Sequence, residues 1–131
     1  MAAVVSETGS TGVGRRAIEV LVVDPDMSTV SELRSALAGA VVHHAPDAYR
    51  ALHELESGAV DVIVTELHLP GANGVELLER LCARESRVPV VVLSHARGAA
   101  SQLCELGVAA VLTKPASSAA LAAAVRHASR R

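Results

Sequence analysis

Four short apolar runs, each followed by a polar side chain, constrain the fold of this chain more than any other feature. The runs cover residues 20–23, 62–64, 90–93 and 109–112, and the polar residues that follow them are Asp24, Glu66, Ser94 and Lys114. Strands that are apolar throughout are typical of a parallel sheet covered by helices on both faces. The carboxyl ends of such strands lie at one edge of the sheet, where ligands bind. The pattern therefore predicts one polar pocket at that edge.

Helical segments alternate with the strands along the chain. Apolar residues recur at helical spacing after the first strand, at Val30, Leu33 and Leu37, with Asp26 as the expected N-cap and Gly39 as the end. The predicted strands cover 19–23, 40–44, 61–65, 89–93 and 109–112. Strict alternation of strands and helices predicts a doubly wound α/β domain with five parallel strands.

Three later helices are predicted in the same way. One carries Val75, Leu78 and Cys82 on its apolar face, a weaker one covers about 98–106, and Ser117 is the expected N-cap of an alanine-rich last helix. The helix after the second strand is marked by an apolar face and is ended by a glycine, and its residues are Ala48, Ala51, Leu52, Leu55 and Gly58.

Length and composition exclude several classes of protein. The chain has 131 residues, which suits one domain, and we expect residues 1–16 to be a disordered leader and 17–131 to form the domain. No apolar run approaches the roughly 18 residues of a membrane helix. A formal net charge of −2 and the absence of Trp and Phe disfavour nucleic-acid binding. A cytoplasmic protein is expected.

The cysteines and histidines show no metal-binding spacing. Cys82 and Cys104 fall among apolar helix positions, so both are predicted to be small buried residues rather than metal or redox groups. Four histidines are predicted to be solvated and two to lie at the pocket rim. The solvated ones are His43, His44, His53 and His127, and those at the rim are His68 and His95.

Several motifs in this order carry a resemblance to a known family. The chain reads LVVD at 21–24, VIVTELHLPGANG at 62–74, VVVLS at 90–94 and TKP at 113–115. These segments resemble the receiver domain of bacterial two-component response regulators, and the similarity covers about 19–130. The resemblance implies a flavodoxin-like fold with strand order 2-1-3-4-5.

The resemblance also implies roles for the polar residues. In that family two acids after the first strand help to bind Mg²⁺, and an Asp after the third strand accepts phosphate from a histidine kinase. A Ser or Thr after the fourth strand and a Lys after the fifth contact the phosphoryl group. This sequence keeps Asp24, Ser94 and Lys114 at matching positions.

Two departures from the family pattern are decisive. Glu66 stands where the phosphoacceptor Asp belongs, and its carboxylate lies about 1.5 Å further out, the length of one C–C bond. Pro25 stands where the second acid belongs and offers no side-chain oxygen, so Mg²⁺ binding is predicted to be lost or weak. Asp26 lies one residue too far along, and we interpret it as a helix cap rather than a replacement ligand.

Two further departures concern access and readout. His95 replaces a usually small residue and could cover the pocket mouth. Val111 occupies the position of the Tyr or Phe that swings inward when typical receivers are activated, and an aliphatic side chain has no comparable switch.

Lys114, the only lysine in the chain, has two possible roles. It could be a phosphate ligand, or a structural partner for Glu66, and the second is favoured because a buried charge is tolerated when it is paired. By resemblance, the Lys114–Pro115 peptide bond is expected to be cis and to turn the lysine toward Glu66.

The sequence therefore predicts an atypical receiver, or pseudo-receiver, without enzymatic activity, that signals through phosphorylation-independent protein contacts. By resemblance, the partner surface is the face of the fourth helix, fifth strand and fifth helix. One alternative is a phosphorylatable receiver that carries an engineered Asp-to-Glu change, which Pro25 disfavours. Another is a small-molecule or metal-binding module at the carboxyl edge, with His68, His95, Glu66 and Asp24 as possible metal ligands.

Overall fold

The computed structural model describes residues 17–67, 74–95 and 107–130, which form a parallel sheet flanked by helices. The strands are β1 Glu19–Val23, β2 Val41–Ala45, β3 Val62–Glu66, β4 Val90–Ser94 and β5 Ala110–Thr113. The helices are α1 Ser28–Ala36, α2 Ala48–Ser57, α3 Gly74–Ala83 and the C-terminal helix α4 Ser118–Ser129. The leader predicted at 1–16 and the helix predicted at about 98–106 lie outside the described residues.

The sheet has five parallel strands in the order β2-β1-β3-β4-β5, as predicted. Helices α1, α2 and α3 each connect two parallel strands, so the chain winds first toward one edge of the sheet and then toward the other. This order places β1 and β3 side by side at the centre, with β4 and β5 next to β3. The carboxyl ends of these four strands therefore lie together.

Two apolar layers cover the two faces of the sheet. Val20 and Val22 of β1 belong to the layer that also contains the buried residues of α1 and α4. Leu21 and Val23 belong to the opposite layer, with the buried residues of α2 and α3. Successive side chains of a strand point to opposite faces, so a strand buried on both sides must be apolar throughout.

The strand boundaries differ from the prediction in a systematic way. β1 is as predicted, whereas the other four strands begin one residue later than expected, and β2, β3, β4 and β5 also end one residue later. The backbone ladder continues into the polar residues at the carboxyl edge, where Glu66 pairs with Leu93 and Ser94 with Thr113. A strand predicted from its apolar residues ends too early when its last residue is polar. Glu66 is thus the last residue of β3 and not part of a loop.

The buried face of α3 was predicted correctly at Leu78 and incorrectly at Val75 and Cys82. Leu77, Leu78 and Leu81 are buried, whereas Val75 and Cys82 are exposed. Neighbouring faces of this helix are both partly apolar, and the tertiary fold chooses between them. The prediction that Cys82 is buried is therefore wrong, and Cys104 lies outside the described residues.

The helix starts agree with the prediction at Ser117 and differ at Asp26. The Ser117 hydroxyl accepts a hydrogen bond from the Ala120 backbone N–H at 3.0 Å. At α1 the cap residue is Met27, which makes no side-chain capping bond. Asp26, one residue earlier, accepts from the Ser28 backbone N–H at 2.8 Å and from the Ser28 hydroxyl at 2.7 Å. Its side chain still satisfies the first backbone donor of α1.

Two histidines on the edge strand β2 are less solvated than predicted. His43 Nε2 lies 2.9 Å from Glu19 Oε1, and both side chains are partly buried. His44 is also partly buried, and its Nε2 lies 2.8 Å from the carbonyl oxygen of Asp24, the residue after β1. His53 and His127 are exposed, as expected. Strand pairing explains the difference, because β2 lies against β1 and presents its side chains to the residues of that strand.

None of the helices in the described part of the chain is long and apolar enough to cross a membrane.

Gly74, the first residue of α3, fixes how closely this helix approaches the end of β3. Its backbone N–H donates to the Leu67 carbonyl at 2.7 Å. A Cβ at this position would lie 2.5 Å from the Glu66 carbonyl oxygen and 2.9 Å from the Leu67 Cα. Both contacts are with backbone atoms, which cannot rotate away. A glycine is therefore required here by lack of space.

We expect Gly74→Ala to lower the free energy of unfolding by about 1–3 kcal/mol, because the added methyl group must displace the backbone of β3. The measurement is a urea melt. Gly58→Ala is the matched control, since its Cβ would meet only the Glu54 carbonyl at 3.3 Å. We expect that change to be below about 1 kcal/mol. Equal stability of the two variants would contradict the close packing.

Candidate functional site

An ion pair between β3 and the residue after β5 lies at the centre of the carboxyl edge. The Lys114 ammonium donates to Glu66 Oε1, as predicted. Both side chains are mostly buried, with 22% of Lys114 and 14% of Glu66 exposed. The Lys114–Pro115 bond is cis, also as predicted, and the Lys114 N–H donates to the Ser94 carbonyl at 2.8 Å. The lysine backbone is thus tied to β4 while its side chain reaches β3.

Asp24, directly after β1, is held in place by the surrounding backbone. Its N–H donates to the Ala45 carbonyl at 3.0 Å, and its own carbonyl lies 2.8 Å from His44 Nε2. The side chain is only 1% exposed. Oδ1 accepts from the Asp26 N–H at 2.9 Å, whereas Oδ2 has no hydrogen-bond partner among the described residues. One buried oxygen of Asp24 therefore has no donor in the part of the chain that the structure describes.

Two more buried hydroxyls belong to this edge. Ser94, at the end of β4, is 2% exposed, and Thr65 of β3 is fully buried. The Thr65 hydroxyl donates to the Glu66 carbonyl at 3.0 Å. Thr65 thus contacts the backbone that carries the Glu66 side chain. Three of the expected pocket residues, Asp24, Ser94 and Glu66, follow or end neighbouring strands, as the sequence predicted.

The loop between β1 and α1 carries the other two residues of interest. Pro25 is exposed and adds no side-chain oxygen beside Asp24. Asp26 is also exposed, and its pKa lies below the ordinary value. The hydrogen bond from the Ser28 backbone N–H is the main cause, followed by the Ser28 hydroxyl, and the positive charge of Lys114 contributes as well.

His95 was predicted at the rim of the pocket and Val111 at the switch position. His95 is exposed directly after β4, at the edge where the sequence placed it. Val111 is partly buried in β5 and packs against the apolar layer of α2 and α3. His68, the other predicted rim residue, lies outside the described residues. The part of the chain that the structure describes contains no group of three His, Cys, Asp or Glu side chains that could hold a metal ion.

Sequence reasoning missed two residues that position the site. His44 was expected to be solvated, yet it contacts the Asp24 carbonyl. Thr65 was treated only as part of a strand. A polar residue inside an otherwise apolar strand is the signal that could have identified Thr65. No local signal identifies His44, because its contact depends on how β2 pairs with β1.

The Lys114–Glu66 pair generates a prediction about stability. Removing either partner leaves a mostly buried charge, so Lys114→Met and Glu66→Gln are each expected to destabilise the fold. The double variant is expected to recover part of the loss, with a coupling energy of about 1–3 kcal/mol. Urea melts of the four proteins measure this quantity.

The matched control is the pair Arg80 and Glu76 on α3. It has a 3.1 Å contact, but its side chains are 50% and 41% exposed. The corresponding cycle, Arg80→Met with Glu76→Gln, is expected to give a coupling of about 0.5 kcal/mol or less. A coupling energy near zero for Lys114 and Glu66 would contradict a structural role for their pair.

The lowered pKa of Asp26 predicts a pH dependence. A folded-state pKa below the unfolded one stabilises the fold above the unfolded pKa, and this contribution is lost as the pH falls through the folded pKa. The difference in free energy of unfolding between the wild type and Asp26→Asn should therefore be constant above about pH 5 and narrow below about pH 4. Urea melts across this range measure it, with the exposed Glu79→Gln as control. A difference that widens in acid would contradict the assignment.

Comparisons with known proteins point in one direction. The model of the family described as response regulator receiver domain matches residues 20–126. A protein-glutamate methylesterase/protein-glutamine glutaminase of Treponema denticola is 34% identical over 114 residues, which cover 77% of this chain and 29% of that protein. The probable transcriptional regulatory protein SilR of Salmonella typhimurium is 31% identical over 118 residues, covering 87% of this chain and 52% of that protein. The chain thus spans only about a third to a half of these relatives.

Solved structures agree with the family match. The Francisella response regulator 1452 receiver domain is 27% identical with a TM-score of 0.79, covering 87% of this chain and 98% of that one. The signal receiver domain of an HD domain-containing protein from Pseudomonas fluorescens has the same identity and TM-score, 27% and 0.79, and covers 92% of each chain. Together with the strand order and the polar edge described above, the family match over residues 20–126 shows that this chain belongs to the response regulator receiver domain family.

Proposed function

We propose that this domain is an atypical receiver, which signals through protein–protein contacts and does not depend on aspartyl phosphorylation. Receiver domains in general act through partner proteins or effector domains. The observation that carries the proposal is the ion pair between Lys114 and Glu66. By resemblance, this lysine is the one that neutralises a phosphoryl group in typical receivers. In this chain the Glu66 carboxylate forms an ion pair with the Lys114 ammonium.

The length of the Glu66 side chain supports the proposal. The additional methylene moves the carboxylate about 1.5 Å outward from the backbone, and in this fold the carboxylate contacts the ammonium that follows β5. Phosphoryl transfer depends on the positions of the attacking oxygen and of the groups that stabilise charge. A carboxylate that is displaced and already paired is poorly placed to attack a phosphoryl donor.

The family implies a Mg²⁺ ion, and the residues present fit one only in part. Oδ2 of Asp24, which is buried and has no hydrogen-bond partner within residues 17–67, 74–95 and 107–130, is a suitable oxygen ligand. Pro25 supplies no oxygen, and the contacting oxygen of Glu66 is engaged by Lys114. Mg²⁺ requires near-ideal octahedral geometry and loses its water reluctantly. We therefore infer that Mg²⁺ binding is lost or weak and that the domain uses no cofactor.

A fixed conformation explains these features better than a permanent mimic of phosphorylation. Glu66 carries one negative charge, compared with about −1.5 to −2 for a phosphate, and Lys114 neutralises it. Val111 has no hydroxyl and packs against the apolar layer of α2 and α3. Neither residue supports a switch between two states, and we expect no enzymatic turnover.

We place the partner surface on the face of β5 and α4, together with the helix predicted at about 98–106. β5 is an edge strand, and the first turns of α4 expose the small side chains of Ala119, Ala120 and Ala123, whereas Arg126 is exposed further along the same face. Val125 of α4 is fully buried and does not contribute to this surface. The small side chains at the start of α4 suit packing against another protein or a second copy. We infer neither nucleic-acid nor membrane binding by this domain.

The proposal predicts how the protein responds to a small phosphoryl donor. Incubation with acetyl phosphate and Mg²⁺ is expected to give no phosphorylated protein, because the acceptor is displaced and the metal site lacks an acid. Intact-protein mass spectrometry measures the outcome. Stoichiometric phosphate on Glu66 would disprove the proposal.

Two variants separate the contributions of the acceptor and the metal site. Glu66→Asp alone is expected to restore little phosphorylation, since Pro25 still offers no ligand. Pro25→Asp combined with Glu66→Asp is expected to restore Mg²⁺ affinity, measured by titration calorimetry. Full phosphorylation of Glu66→Asp alone would favour the alternative of a phosphorylatable receiver with a single altered acceptor.

A further inference from the structure

We propose that a cavity between α1 and α4 binds a small amine with an apolar body. The cavity has a volume of about 260 Å³ and lies beside Lys114, on the side of the sheet that α1 and α4 cover. Its walls come from α1, the end of β4, the segment after β5 and the start of α4. The residues that the argument uses are Thr29, Glu32, Leu93, Lys114, Ala116 and Leu121.

The inner wall of the cavity is apolar. Leu93 and Leu121 are each 3% exposed, and Pro115 adds a rigid apolar ring. Thr29 is 2% exposed and contributes a buried hydroxyl on the α1 side. Ligand sites typically combine apolar walls with a few polar groups in volumes of about 300–1,000 Å³. This cavity lies just below that range, which suits a ligand of about one ring.

The charge around the cavity favours a cation over an anion. Among the lining residues, Lys114 and Glu32 carry full charges of opposite sign, and His95 adds an imidazole at the rim. The Lys114 ammonium is already bound by Glu66, so its charge is compensated. Glu32 is exposed, and its carboxylate makes a single long contact of 3.4 Å with the Ser118 hydroxyl. Its negative charge remains available to a ligand's ammonium group.

A ligand in this cavity would contact both α1 and α4. The Glu32–Ser118 contact already joins these two helices at the cavity. Because α4 also contributes to the proposed partner surface, occupancy would stabilise the position of that surface. The inference goes beyond the proposed function; it uses the same Lys114–Glu66 pair, but the cavity lining does not include Asp24 or Glu66.

Three probes with the same ring and different polar groups test the inference: benzylamine, benzyl alcohol and benzoate. Binding is followed by NMR shifts of Thr29, Leu93 and Leu121 signals in the full chain. We expect saturable shifts with benzylamine at a Kd on the order of 1 mM, which is typical of so small a ligand. Benzyl alcohol should bind more weakly, and benzoate should bind least.

Two variants test the residues involved. Glu32→Gln should weaken benzylamine binding about two- to five-fold, as expected for an exposed charge pair, without changing benzyl alcohol binding. Glu79→Gln, an exposed change on α3, is the matched control and should have no effect. Ala116→Leu, which fills part of the cavity from the segment after β5, should abolish binding of all three probes while the Tm stays near that of the wild type.

Several outcomes would overturn the proposal. Tighter binding of benzoate than of benzylamine would mean that Lys114 is available and that the cavity selects anions. Equal binding of benzylamine and benzyl alcohol, with no effect of Glu32→Gln, would remove the role of charge. Shifts that map elsewhere, or none at about ten times the expected Kd, would show that the cavity is not a ligand site.

Discussion

The ion pair between Lys114 and Glu66 is the interaction on which the carboxyl edge of this domain depends. It joins the end of β3 to the residue after β5 across β4, so it connects three neighbouring strands. The Lys114 backbone is bonded to the Ser94 carbonyl, which leaves the side chain directed at β3. Both charges are mostly buried, and their attraction offsets part of the free-energy cost of removing each of them from water. The arrangement explains why a chain otherwise limited to arginine carries a lysine here, since an ammonium is a compact charge.

The pairing of Lys114 with Glu66 leaves the carboxylate of Asp24 without a cationic partner among the described residues. Because Lys114 is paired with Glu66, it does not satisfy the second oxygen of Asp24, which is buried and lacks a protein donor among the described residues. An unpaired buried polar atom is costly and is uncommon in folded proteins. His44 and Asp26 hold the Asp24 backbone and its other oxygen in place, so the carboxylate cannot turn toward solvent without breaking these bonds. The carboxyl edge thus contains one ion pair, Lys114 with Glu66, and one buried carboxylate, Asp24, with an oxygen that has no donor among the described residues.

Individual residues show which parts of the fold and of the site could be predicted from the sequence. The alternation of apolar strands and helices predicted a doubly wound parallel sheet, because strands that are buried on both faces need helices on each side. The strand order came from the resemblance to receiver domains. The hydrophobic pattern placed Asp24, Glu66, Ser94 and Lys114 at one edge. It failed at the strand ends, where hydrogen bonding continues into polar residues such as Glu66. It also failed on α3, where Val75 and Leu77 are equally apolar and only packing against the sheet decides which is buried.

By itself, the sequence determined the parallel sheet with helices on both faces and the identity of the four edge residues, which follow from hydrophobic periodicity and from the polar residue after each run. The strand order and the departures at Pro25 and Glu66 also came from the sequence, through its resemblance to receiver domains. The sequence already favoured the pairing of Lys114 with Glu66, whereas only the tertiary structure placed His44 against the Asp24 carbonyl and Gly74 against the backbone of β3. The tertiary structure also created the cavity between α1 and α4, whose walls come from four separate parts of the chain. The physical reason is that such contacts depend on the register of strands and the rotation of helices, which are set by packing between residues distant in sequence.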